Sequence, residues 1–211
     1  HKLMNEELKI SSPPYNQNKY LTFGSFNNFN KISSITANVW SEILEKTGAK
    51  LILKSSLHNK KNVEQDIRNK FAKNIIKKDQ IEILESPRDQ LEHIKMYNKI
   101  DVCLDTFPYN GVTTSFEAIW MGVPVLTLSG NNFVSRCGES INKNLGLNEF
   151  IAVNKNDYIK KAIYFSKKPL FLNELRKNLR QKAKDSGIFQ SEEFARDLGY
   201  KLKNLWLEKI N

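Results

Sequence analysis

Residues 101–127, DVCLDTFPYNGVTTSFEAIWMGVPVLT, set a glycine, two adjacent threonines and a glutamate at fixed spacing behind a short apolar strand. Gly111 would let the backbone approach a ligand closely. Thr113 and Thr114 would offer hydroxyls and N–H groups where a helix begins, with Asn110 just ahead of them. Glu117 lies one turn further in, placed to accept hydrogen bonds from ribose hydroxyls. This chemistry suits phosphate and sugar oxygens. The same residues also fit plain capping, with Thr113 or Thr114 as N-cap and Glu117 completing a capping box after Thr114. The two readings coexist, because a capped helix end is itself an anion site.

A second group, FNNFNK, puts Lys31 immediately before a helix, where unpaired N–H groups and the dipole already favour an anion. A lysine there adds a mobile point charge suited to a diphosphate, although a lone lysine in a turn is ordinarily just exposed. Asn27, Asn28 and Asn30 fit turn chemistry equally well. His93, near the start of another helix, could stack on a base or donate to a ring oxygen, or be a half-buried structural histidine. Asp101 and Asp105 straddle one strand and suit the capping of loops more than a carboxylate pair. No serine–histidine–acid ordering and no Walker loop occurs, and His1, His58 and His93 form no metal cluster.

The elements that must position these groups alternate. Apolar strands are expected at residues 20–26, 49–55, 80–86, 101–106, 123–129 and 149–153. Helices are expected at residues 32–48, 62–76, 90–99 and 115–122, then at 155–168, 171–186 and 191–210. Ser33 or Ser34 is a candidate cap and Gly48 a stop for the first of them. Strands alternating with single helices imply a parallel sheet covered on both faces, a doubly wound α/β domain. Ligands in such sheets sit beyond the carboxyl ends of the strands, which is where Lys31, His93 and the 105–117 loop fall. In the last helix Phe194, Leu198, Leu202 and Trp206 form an apolar stripe, either core or a surface for another domain.

The chain has 211 residues and a net charge of +10, with lysines scattered along helices and no arginine-rich aromatic patch. That pattern favours a solvated exterior over a nucleic-acid surface, and leaves room for an anionic ligand. No run approaches the roughly 20 apolar residues of a membrane span. Cys103 and Cys137 lack metal-ligand or disulfide-rich spacing, so a reducing cytoplasm is expected. Residues 1–19 read as an expression scar, with Met4 inside it, followed by a polar linker; residues 20–211 read as one domain.

Three stretches, FGSFNNFNKI, EHIKMYNKIDVCLDTFPYNGVTTSFEAIWMGVPVLTLSG and VSRCGESINKNLGLNEFIA, together resemble the C-terminal lobe of O-GlcNAc transferase and Spindly-like glycosyltransferases, family 41. The resemblance runs from about Tyr20 to the final helix. It implies a Rossmann-like lobe, the C-terminal half of a GT-B enzyme, that holds the nucleotide of a sugar donor without a metal ion. It implies UDP-GlcNAc as donor, a protein as acceptor, and Lys31 at the donor diphosphate as the catalytic cation. Asn28 stands at a donor contact, His93 at the uracil, Asn110, Gly111, Thr113 and Thr114 at the phosphates, Glu117 at the ribose, and Arg88 and Gln90 near the base. Val112 departs from the histidine of animal members. The resemblance further implies that an N-terminal catalytic lobe and tetratricopeptide repeats of a bacterial parent are missing, leaving this fragment inactive alone. The alternative is a non-catalytic Rossmann-like module that binds nucleic acid or a protein through its basic face.

Overall fold

The computed structural model describes residues 7–55, 60–71 and 78–210. Six parallel strands form the sheet: β1 (Thr22–Ser25), β2 (Lys50–Ser55), β3 (Ile81–Glu85), β4 (Val102–Leu104), β5 (Val125–Leu128) and β6 (Ile151–Ala152). Their order is β3-β2-β1-β4-β5-β6, the arrangement of a doubly wound Rossmann-like sheet. The winding of the chain across the sheet therefore switches sides between β1 and β4, which pair in parallel through Phe23 with Val102 and Gly24 with Cys103.

Helices α1 (Tyr15–Asn18), α2 (Ser34–Thr47), α3 (Lys60–Phe71), α4 (Gln90–Lys95), α5 (Thr113–Trp120), α6 (Cys137–Asn144), α7 (Lys155–Ser166), α8 (Pro169–Asp185) and α9 (Ser191–Ile210) complete the chain. α2 packs on α3 and α7, and α5 packs on α8. Strands buried on both faces need apolar side chains throughout, and Phe23, Leu51, Leu53, Val102 and Leu104 are fully buried. Trp40, Tyr97, Phe150 and Phe165 fill the space between sheet and helices, with Phe150 and Phe165 stacked 4.0 Å apart.

Ser33 caps α2 by accepting the Thr36 N–H, and Gly48 ends it with φ +65°. Residues 72–76 of the second expected helix lie outside the described residues, as do Met4, His1 and His58. Helix α6 was not expected from its sequence, CGESINKN, which is rich in residues of low helix propensity. Residues 7–19, expected as a linker, lie against the domain. Leu8 is buried, the Ser11 carbonyl accepts from Arg176, and the Tyr15 N–H donates to Asp101. Helix α9 is the opposite case. The core reading of its stripe is overturned, since Phe194 is 65% and Trp206 67% exposed, and no residue of α9 is buried.

Candidate functional site

Because β1 and β4 are neighbours, the loops after them leave the sheet side by side. After β1, Asn28 caps a short 3-10 helix (Phe29–Lys31) by accepting the Asn30 N–H, and Lys31 ends that turn. The Lys31 side chain crosses to the other loop. Its Nζ donates to the Asn110 carbonyl at 2.9 Å and lies 4.0 Å from the centre of the Tyr109 ring. Burial lowers its pKa from the ordinary lysine value, against the attraction of Asp105 and Cys137. The amine thus sits beside the residues that lead into α5.

That loop is built around Asp105, which is fully buried. Its Oδ1 accepts from the Gly111 N–H at 2.6 Å and from Asn27 Nδ2 at 3.3 Å, while Oδ2 accepts from Thr127 Oγ1 at 2.8 Å. Desolvation raises its pKa to about 6 even with these donors. The Thr114 hydroxyl donates to Asn27 Oδ1 at 2.6 Å, so side chains from the two loops are joined directly. A Cβ on Gly111 would lie 2.6 Å from Thr114 Oγ1 and 2.8 Å from Asn27 Oδ1, so glycine is what lets the loops close. Thr113 is exposed at the first turn of α5.

The capping expectation fails here. Val112 is the N-cap of α5 and caps with no side chain, because the Thr114 hydroxyl is taken by Asn27. Glu117 makes no capping box either. Its Oε2 accepts from Tyr97 Oη at 2.9 Å and lies 3.3 Å from His93 Nε2. A tertiary partner has displaced the local one at both ends of the motif.

His93 and Glu117 are therefore brought together, some way along the same sheet edge from Lys31. Lys54, at the end of β2, completes this second cluster: its Nζ is 2.8 Å from His93 Nδ1 and 2.7 Å from Nε2. Arg88 and Gln90 are exposed at the entry to α4, and Asn28 is exposed beside Lys31. A cavity of about 640 Å³ opens beside Val112, with Phe116, Phe133, Arg136, Cys137 and Glu139 in its walls; Lys31, Thr113 and Thr114 do not line it. Among the described residues no group of three or more His, Cys, Asp or Glu could hold a metal ion, and no helix is long and apolar enough to cross a membrane.

The sequence profile of Glycosyl transferase family 41 matches residues 13–198. The chain belongs to that family. Among curated relatives, the "Probable UDP-N-acetylglucosamine--peptide N-acetylglucosaminyltransferase SPINDLY" of Oryza sativa subsp. japonica is 31% identical over 190 residues, covering 90% of this chain and 20% of the relative. The protein of the same name from Eustoma exaltatum subsp. russellianum is 30% identical, covering 93% and 22%. A mutant O-GlcNAc transferase from Thermobaculum terrenum superposes with a TM-score of 0.85 at 27% identity, covering 96% of this chain and 38% of that structure. Sucrose-phosphate synthase from Thermosynechococcus elongatus shares the fold, with a TM-score of 0.59 at 15% identity. The chain spans about a fifth of the length of the curated relatives it matches.

Within this family 41 chain, three residues of the two clusters escaped sequence reasoning as candidate site residues. Asn27 looked like turn chemistry and Asp105 like a loop cap; their shared role as the bracket between loops depends on β1–β4 adjacency. Lys54 did carry a signal. A lysine inside AKLILKS, a strand expected to be buried on both faces, is costly unless it has something to do.

Proposed function

We propose that this chain is the donor-binding lobe of an inverting protein O-glycosyltransferase that uses UDP-GlcNAc and glycosylates Ser or Thr of a protein acceptor. The observation that carries the reading is the meeting of Lys31 with the α5 loop. Nζ lies 2.9 Å from the carbonyl of Asn110, one residue before Gly111 and just ahead of the first N–H groups of α5. An amine and a helix start that converge make a place for a diphosphate.

In the transfer, the acceptor oxygen bonds to the anomeric carbon from the face opposite the departing nucleotide. The bond from that carbon to the phosphate oxygen breaks, UDP leaves with the electron pair, and the hydroxyl proton passes to a base. Lys31 exchanges the Asn110 carbonyl for a phosphate oxygen and offsets the charge that develops there, with Gly111, Thr113 and Thr114 flanking it. His93 lies against the base, with Arg88 and Gln90 near it, and Asn28 reaches the donor beside Lys31. Glu117 uses Oε2 for Tyr97 and His93, and turns Oε1 to the ribose. The cavity of about 640 Å³ beside Val112, the residue between Gly111 and Thr113, has room for a hexose. No metal is needed while a lysine and a helix start carry the charge.

The names of the relatives, which specify UDP-N-acetylglucosamine and a peptide, support this donor and acceptor. The reading extends to a companion N-terminal lobe holding the base and much of the acceptor site, tetratricopeptide repeats that recruit the protein, and a bacterial, cytoplasmic parent; the chain itself spans about a fifth of its curated relatives. The chain alone then binds nucleotide and transfers no sugar. Calorimetric titration of UDP, GDP and UDP-GlcNAc into the chain and into Lys31→Ala tests the reading. The variant loses about 1–3 kcal/mol of UDP affinity, the range for a hydrogen bond to a charged group. Equal affinity, or binding only to DNA or RNA with steep salt dependence, overturns it.

A further inference from the structure

Lys54 stands where a parallel strand would ordinarily carry an aliphatic residue. It pairs with Leu84 of β3 and follows the fully buried Leu53, and it is itself only 5% exposed. Among the described residues it forms no ion pair. Its Nζ lies 4.6 Å from the centre of the Phe26 ring and 5.7 Å from that of Tyr97, so its stem and head cross an aromatic floor. The polar groups it meets are the ring nitrogens of His93. Burial of an ammonium with so little compensation lowers its pKa to about 8, against the attraction of Glu117 and Cys103.

The donor and acceptor roles around His93 are constrained. Glu117 Oε2 already accepts the Tyr97 hydroxyl, and a carboxylate has no proton to give, so the 3.3 Å contact with His93 requires a proton on Nε2. That leaves the lone pair on Nδ1, with Lys54 at 2.8 Å and the Ser86 hydroxyl at 3.3 Å. Nζ also lies 2.7 Å from Nε2, and a neutral ring offers a single lone pair. Glu117 thus draws the proton to Nε2, and an ammonium at Lys54, which can only donate, locks that form by taking the Nδ1 lone pair. The His93 side chain is 26% exposed, whereas Lys54 is buried.

We propose that Lys54 is a positioning residue of the donor site: its amine fixes the proton of His93 on Nε2, and through His93 it holds the Glu117 carboxylate in place for the ribose. This rests on the donor-site reading above. The groups that face Lys54 are His93 from α4, Glu117 from α5, Tyr97 from the turn after α4 and Cys103 from β4. Burial pushes the Tyr97 hydroxyl and the Cys103 thiol up, so both stay neutral through the range concerned. Loss of the lysine's proton leaves a neutral amine that can accept from the ring as well as donate to it, at 2.7 Å from Nε2 and 2.8 Å from Nδ1, so the ammonium's hold on one tautomer is lost.

The test pairs two readouts on the chain and on Lys54→Met and Lys54→Arg. Long-range proton–nitrogen spectra of the labelled, ligand-free protein report the His93 tautomer, which a purely structural lysine would not set. The unaltered chain shows Nε2–H, and Lys54→Met no longer shows it as the single form. UDP titrations from about pH 6.5 to about pH 9.5 give the second readout. Lys54→Met binds roughly tenfold to a hundredfold more weakly near neutrality, the equivalent of a hydrogen bond to a charged group. The unaltered chain weakens further as pH passes about 8, and both variants lack that added slope. Lys54→Arg, a cation at every pH, keeps most of the affinity. Lys31 contributes an alkaline limb to all three proteins, so the difference between them is the measure. An unchanged tautomer and unchanged pH profile in Lys54→Met overturn the role of Lys54. Absence of UDP binding by the unaltered chain overturns the donor-site reading instead.

Discussion

Replacing Asp105 by asparagine isolates what a buried charge does to this fold. The carboxyl has an ordinary value of 3.8 and is raised to about 6 in the folded chain, so the folded state holds its proton more tightly than the unfolded one. Stability from this group is complete below about pH 4 and is lost as pH rises through about 6. At about 1.36 kcal/mol per pH unit the loss approaches about 3 kcal/mol by pH 7. Asparagine keeps an oxygen for the Gly111 N–H and sheds the charge, and Thr127 can turn its hydroxyl to accept from the new amide. Urea denaturation at several values between about pH 4 and about pH 7.5 measures both proteins. The wild-type chain loses stability relative to Asp105→Asn across that window, by roughly 2–3 kcal/mol. Asp105→Ala behaves differently: it strands three buried donors at about 1–3 kcal/mol each, and the discarded desolvation cost offsets only part of this. Parallel pH curves for wild type and Asp105→Asn would refute the reasoning.

Gly111→Ala drives a methyl into Thr114 Oγ1 and Asn27 Oδ1, so it costs about 1–3 kcal/mol of stability and abolishes UDP binding, read by denaturation and calorimetry. Gly138→Ala is comparably damaging, because its Cβ would strike the Thr127 hydroxyl and Asp105 Oδ2 behind the same loop. Ending the chain after Gln190 leaves Tm within about 2 °C in a thermal melt, since no residue of α9 is buried.

The sheet was legible in the sequence because each strand is an apolar run closed by a turn residue or a helix start, and six expected strands became six. The parallel, doubly wound arrangement followed from alternation alone. Helix α6 was not legible: Gly138, Asn142 and Asn144 give it a weak intrinsic preference, and packing on β5 supplies what propensity lacks. The residues of the α5 motif were readable as chemistry, but the partners of Thr114 and Glu117 were not. Local spacing predicts a capping box, and only the adjacency of β1 and β4 reveals that Asn27 is within reach of Thr114. The stripe through Phe194, Leu198, Leu202 and Trp206 announced a helix at once, yet periodicity says nothing about what covers the apolar side.

The bond from Lys31 to the Asn110 carbonyl bears on turnover. A cation left stranded when UDP departs would hold the product back, and slow escape of nucleotide would then limit the cycle. If Lys31 holds the donor diphosphate as proposed, a peptide oxygen 2.9 Å from the amine stands ready to replace it, so the empty state is already solvated by the protein. On that proposal the carbonyl is a resting berth that would ease release as much as it prepares the next capture.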